Sequence, residues 1–288
     1  MSHDKKRTKR MRRLILLLGI VFGFGLILYP LISQLYYDQV ADKEVTDFQE
    51  AVEVINPPEL KEKNVQLAEA YNEALEPNMD WVDPYSEAER EEGVLTYAEM
   101  LEVQEKIGVI HLPTINVTLP VFAGTSTNVL QSGVGHLEGT SLPIGGDNSH
   151  SVLTAHRGLP EARLFTDLDQ MEIGDVFFVE TMASSLYYEV DEILVIEPTE
   201  TDSVRIIPDK DYLTLLTCTP YMVNTHRLLV RGVRIPAPPP EMVEEIAQDQ
   251  GRGFSYYLQT YWHYLLIITL CIAIVVSTLF LQKRKVHT

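Results

Sequence analysis

Cysteine is nearly absent from this 288-residue chain: there are two, Cys218 and Cys271. Cys271 lies inside an apolar run, Tyr261–Leu281, where it reads as a small packing residue. Cys218 is then left with no cysteine to pair with. Basic residues are scarce in the middle of the chain. Setting aside ten near the two ends, and Asp4 among the acids, 13 basic residues face 40 acidic ones, a net of about −27. Such a surface repels phosphate, so nucleic acid is excluded as a partner. The acid reads as solubility at a cell surface. No H-E-x-x-H or C-x-x-C spacing occurs, which argues against a metal site built from His136, His150, His156 and Cys218. No internal repeat is found. The papain-like order of Cys before His is reversed here, and no caspase signature appears.

What is present begins with two long apolar runs. Seven basic residues lie before position 14, and the run 14–35 follows, long enough to cross a bilayer of roughly 30 Å. No A-x-A-like cleavage site follows it, so it is read as an uncleaved anchor. The second run, 261–281, opens on Tyr261, Trp262 and Tyr264 and stops at Lys283, Arg284 and Lys285. Basic residues flank the outer end of each run, which puts both termini in the cytoplasm and the middle outside. There an unpaired Cys218 is either buried or a reactive thiol, and the reactive reading is preferred.

The expected organisation is a basic tail at 1–13, an anchor at 14–35, a helical arm at 36–77 and a loop at 78–93. A β domain at 94–236, a linker at 237–260, the second span at 261–281 and a tail at 282–288 complete it. Within the arm, apolar residues recur at helical spacing, and Pro57 and Pro58 divide two helices. The loop holds Trp81, Asp83, Pro84 and Tyr85, then an acidic run from Glu87 to Glu92. Large aromatics in a solvated loop want something to cover. Strand patterns follow at Ile107–Leu112, Val117–Phe122, Ser151–His156, Asp175–Glu180, Leu186–Ile196, Tyr212–Thr217 and Leu228–Ile235, with single helical turns at Asn128–Ser132 and Glu161–Leu168. Seven or eight strands in about 130 residues predict a mainly β fold, one closed barrel or sandwich.

The stretch from Tyr212 to Ile235 reads as strand, turn, strand, with Cys218 ending the first and Arg227 opening the second. If these strands are neighbours, thiol and guanidinium share one sheet edge. A cysteine nucleophile needs a proton-transfer partner and an oxyanion donor. His156 ends an apolar strand just before Arg157 and Gly158, at a barrel mouth. His226 is the rival, but as Arg227's neighbour it points to the opposite side of an extended segment. Arg231 shares a face with Arg227 and is the weaker of the two.

LTLLTC at Leu213–Cys218 resembles the TLxTC signature of sortases, the surface transpeptidases of Gram-positive bacteria. TAHRGLP at Thr154–Pro160 resembles the segment around their histidine, and CTPYMVNTHRLLVRG at Cys218–Gly232 resembles the pilus-assembling class C branch. The resemblance spans about Glu50 to Ile235 and implies a closed sortase-type barrel of about eight strands. It makes Cys218 the nucleophile, His156 the acid/base and Arg227 the oxyanion or substrate-positioning residue, with Thr217 and Arg231 as lesser substrate-binding candidates. The Asp83-Pro84-Tyr85 segment matches that class's lid, with Asp83 on Arg227 and Tyr85 over Cys218; Tyr replaces the more usual Phe or Trp. The implied reaction cleaves an LPxTG-like signal between Thr and Gly and transfers it to a lysine of a neighbouring pilin. No cofactor is implied, although the acidic surface leaves weak calcium binding open. A surface cysteine peptidase and a non-catalytic surface-binding domain are the alternatives.

Overall fold

The computed structural model describes residues 2–55, 58–75, 83–85, 101–103 and 105–238, with 262, 266 and 269 as isolated helical positions. Apart from those three positions the expected second span lies outside the described residues, as do most of the 237–260 linker, Trp81 and the Glu87–Glu92 run. Helix α1 runs Ser2–Glu53 and α2 runs Pro58–Ala74, so the break falls at the paired prolines. Pro at a first helical position costs nothing, because its missing N–H would be unbonded anyway.

No single helix among the described residues is long and apolar enough to cross a membrane. Two segments, Leu18–Leu26 and Leu28–Glu53, pass that test only together and meet at a bend of 42°. The apolar run 14–35, expected as an anchor, falls across this bend. The cause is Pro30 inside α1: a proline ring clashes with the carbonyl four residues earlier, here Leu26.

From Tyr36 onward α1 belongs to the same compact unit as the barrel. Val45 and Phe48 pack on Val109, and the buried Lys106 pairs with Glu44 at 2.6 Å. Helix α2 buries Ala68, and Asn72 imitates a strand partner: its Nδ2 donates to the Leu142 carbonyl and its Oδ1 accepts from the Leu142 N–H.

Eight strands close a barrel in the order β1-β2-β3-β4-β7-β8-β6-β5. They are β1 Lys106–Leu112, β2 Val117–Ala123, β3 Val134–His136, β4 Ser149–Thr154, β5 Val176–Glu180, β6 Ser185–Ile196, β7 Asp211–Thr219 and β8 His226–Ile235. The short helix α3, Thr127–Ser132, is capped by Ser126, whose Oγ accepts from the Val129 N–H. At Glu161–Leu168 turns replace the expected helical turn, and a single 3-10 turn follows at Leu168–Gln170. β3 escaped the sequence pattern because three residues carry no periodicity. β4 stops at Thr154, so His156 lies beyond the strand that was expected to end on it.

Leu213, Leu215, Leu228 and Val230 point into the core with Leu153, Phe177 and Tyr188. The alternate residues, Leu216 and Leu229, form a second apolar cluster with Val152, Ile196 and Val204. β7 and β8 are thus apolar on both faces, because the segment between β6 and β7 covers the outer one. At Gly232 a Cβ would lie 2.6 Å from the Phe177 ring, so only glycine lets that ring close on β8.

Two buried histidines stay neutral. Burial pulls the pKa of His136 and of His150 down to about 4, against the hydrogen bonds to the Ser141 and Arg205 carbonyls that favour protonation. An unfolded histidine binds its proton near 6.5. Between pH 6.5 and about 4 the unfolded chain therefore takes up protons that the folded chain refuses. Stability should be full above that window and fall within it, by at most roughly 1.4 kcal/mol per pH unit for each histidine. Thermal unfolding at pH 7.5 and pH 5.0 should show a lower Tm in acid, and a flatter profile when both residues are changed to Gln.

Candidate active site

β4 and β7 run parallel, with Thr154 beside Leu216, so both strands end at the same edge of the barrel. β7 and β8 run antiparallel and place Cys218 directly beside Arg227. The two pairings bring Cys218, Arg227 and, just past β4, His156 to one edge. The shared edge inferred for thiol and guanidinium is observed.

Over that edge lies the Asp83-Pro84-Tyr85 segment. Asp83 grips Arg227 with two bonds: Nε donates to Oδ1 at 2.8 Å and Nη2 to Oδ2 at 2.6 Å. Arg227 Nη1 donates to the carbonyls of Asn224 and His226. Four of its five N–H groups are thereby occupied. Tyr85 packs against the outer apolar cluster, and its hydroxyl meets the Ala155 carbonyl at 2.6 Å and Thr154 Oγ1 at 2.8 Å. Its ring leans on His156 with centroids 5.4 Å apart, and the Arg227 guanidinium sits 5.1 Å from the ring centre.

Beneath this cover Cys218 is only 5% exposed. Burial pushes the thiol pKa up to about 11; the Asp83 carboxylate adds to the rise and Arg227 opposes it. His156 is held below its ordinary value by burial, so its imidazole is a neutral base at neutral pH. Among the described residues no hydrogen bond joins His156 to Cys218. In this arrangement the thiol is protonated, its arginine is engaged and its histidine faces a phenol ring.

The other expected site residues fall elsewhere. Arg231 binds Asp191 through two bonds and Glu192 at 2.7 Å, and lies 4.4 Å from the Tyr212 ring centre. It stands beside Thr214, four positions from Arg227 along β8. Thr217 is buried, and its hydroxyl donates to the Ala155 carbonyl at 2.7 Å. His226 turns away toward Glu197, 3.1 Å distant, as its place beside Arg227 implied. Sequence reasoning missed Thr154 and Ala155 as partners of Tyr85, because nothing in their types marks them. Among the described residues no group of three or more His, Cys, Asp or Glu could hold a metal. A cavity of about 630 Å³ lined by Glu69, Asn72, Glu73 and residues 144–149 opens at the start of β4. It lies about 20 Å along the strand from the thiol.

A family model described as "Sortase domain" matches residues 110–235. The solved sortase C-1 of Streptococcus pneumoniae is 49% identical, with 68% of this chain and 100% of that one covered and a TM-score of 0.65. The chain belongs to the sortase family. Group B Streptococcus pilus island 1 sortase C2 is 54% identical over 63% of this chain and 100% of its own, at a TM-score of 0.59. Sortase D of Bacillus subtilis (strain 168) is 28% identical over 137 residues, 46% of this chain and 66% of its own length. Sortase A of Streptococcus agalactiae serotype III matches over 47% of its length. The chain thus spans about half to two thirds of these curated sortases. Its similarity to sortase C structures agrees with the class C resemblance read in the sequence.

Replacing Asp83 with Ala removes a negative charge beside the thiol and frees Arg227 to stabilise a thiolate. The Cys218 pKa should fall, so alkylation by iodoacetamide at pH 7.5 should accelerate about threefold or more, the larger thiolate fraction outweighing its lower nucleophilicity. An unchanged rate would mean that Asp83 does not hold the thiol inert.

Proposed function

We propose that this sortase is a membrane-anchored cysteine transpeptidase that joins pilin subunits and is held inactive by a lid. The observation that carries this reading is the convergence of Cys218, Arg227 and His156 on one barrel edge, under Asp83 and Tyr85. The lid corresponds to the 78–93 loop. The anchor is the N-terminal apolar run, with the second run as a further span and both termini cytoplasmic.

With the lid displaced, Arg227 loses Asp83 and gains donors for a carbonyl oxygen. The Cys218 thiol passes its proton to His156, the thiolate attacks the Thr–Gly carbonyl of an LPxTG-like signal, and Arg227 steadies the oxyanion. The carbon–nitrogen bond breaks as His156 gives a proton to the leaving amine. A thioacyl-enzyme remains. A lysine amine of the next pilin then attacks the thioester, its proton passes to His156, and the thiolate leaves as an isopeptide bond forms. Every step uses side chains alone. The acidic surface favours an acceptor that presents lysine.

The lid lowers apparent affinity by the fraction of molecules in which it is closed. Intact mass of the full chain in detergent, incubated with an LPxTG-type peptide, tests the reading. An acyl adduct should form, vanish in Cys218→Ala, and accumulate in Asp83→Ala. Added lysine-bearing peptide should discharge it as the transfer product. Cleavage with no transfer to added amine would make the chain a peptidase. Neither adduct nor cleavage, even in Asp83→Ala, would overturn the proposal.

A further inference from the structure

His156 stands outside the sheet, so something other than the ladder must hold it beside Cys218. The β4–β7 pairs, from Ser149 with Asp211 to Thr154 with Leu216, share one offset of 62 residues. β4 ends there, yet the offset persists through side chains. Thr217 Oγ1 donates to the Ala155 carbonyl at 2.7 Å, and Arg157 Nη1 donates to Thr219 Oγ1 at 3.0 Å. Both contacts again span 62 residues. They bracket one position on each side, and the same offset carried across that position sets His156 opposite Cys218.

The second bracket is built to be stiff. Arg157 is buried, and its Nε donates to the Thr166 carbonyl at 3.0 Å. Its Nη2 meets the Asp169 carboxylate at 2.5 Å. A planar fork that bonds three separate groups resists rotation in a way that a flexible ammonium does not. The loop closes around it: Phe165 N–H donates to the His156 carbonyl, and Gly158 N–H to Thr166 Oγ1. Gly158 adopts a positive φ of 85°, with the Tyr221 ring 3.0 Å from where a Cβ would stand.

We propose that Arg157 is a positioning residue that, by tying the residue after His156 to the residue after Cys218, sets the imidazole opposite the thiol for proton transfer. The inference rests on the reading of His156 and Cys218 as the catalytic pair. Thr219 is its receiving end, and neither side chain needs to touch substrate.

Thr219→Val keeps the side-chain shape and removes the acceptor, whereas Thr219→Ser keeps the acceptor. On peptide cleavage by the full chain, Thr219→Val should lower kcat about tenfold and leave KM within twofold, because misplaced catalytic groups cost rate more than binding. Thr219→Ser should restore kcat to within twofold of the native value. Arg157→Lys should lose at least as much as Thr219→Val, and adding Thr219→Val to it should cost little more. A loosened loop admits water to the imidazole, so the pH limb due to His156 should move up toward 6.5 in Thr219→Val. Native kcat and pH profile in Thr219→Val would overturn the inference. Equal losses in the Val and Ser variants, with a lowered Tm, would overturn it too, since they would mark a merely structural contact. Retained cleavage in Cys218→Ala or His156→Ala would instead sink the underlying catalytic reading.

Discussion

The parallel pairing of β4 with β7 is the constraint from which the site follows. Parallel neighbours end on the same edge of a sheet, and here the residues that leave that edge are His156 and Cys218. An antiparallel pairing would send the two segments to opposite ends of the barrel, about 20 Å apart. β8 then returns against β7 and adds Arg227 across from the thiol. Closure of the barrel has a further effect. With every edge paired, the end of β7 has no freedom to slip in register, because a slip of one residue would exchange Leu215 and Leu216 between core and outer face.

The Asp83–Arg227 pair couples this rigid edge to the segment above it. Bidentate carboxylate–guanidinium bonds belong to the strong class, and both side chains here are almost fully shielded from water. Removing one partner of such a pair commonly costs about 3–5 kcal/mol, since the other charge is left buried. Arg227 has an alternative counter-charge within reach: a Cys218 thiolate, or the oxyanion formed beside it. In the function proposed above, the guanidinium exchanges one anion for another, and that exchange links uncovering of the site to ionisation of the thiol. Tyr85 adds a second tether through its hydroxyl, bound to the Ala155 carbonyl and Thr154. A phenylalanine there could offer no such bond.

Much of this molecule was legible in the residues. The alternation of apolar residues marked seven of the eight strands, and the paired prolines marked the break between α1 and α2. The chemistry of Cys218, expected to be external and unpaired, called for a histidine and an arginine, and the motifs around His156 and Arg227 supplied them. The aromatics of the 78–93 loop suggested that it covers something, and the resemblance to the class C lid singled out Asp83 and Tyr85. These features are local: each depends on residue type and on spacing within a few positions.

Tertiary structure decided what depends on pairs distant in sequence. Arg227 and Arg231 look alike on one strand face, yet Asp191 and Glu192 engage one and Asp83 the other, because packing of β6 and of the covering segment sets which acid arrives where. Thr217, beside Cys218, turns out to hold the Ala155 carbonyl, and Arg157 reaches Thr219 across a separation of 62 residues. The bend in α1 depends on one ring against one carbonyl, which a hydropathy window averages away. By itself, then, the sequence determined the elements and the reactive groups, since propensity and side-chain chemistry are carried residue by residue. Which groups meet, and which are already engaged, was left to strand register, since that is set only when the barrel closes.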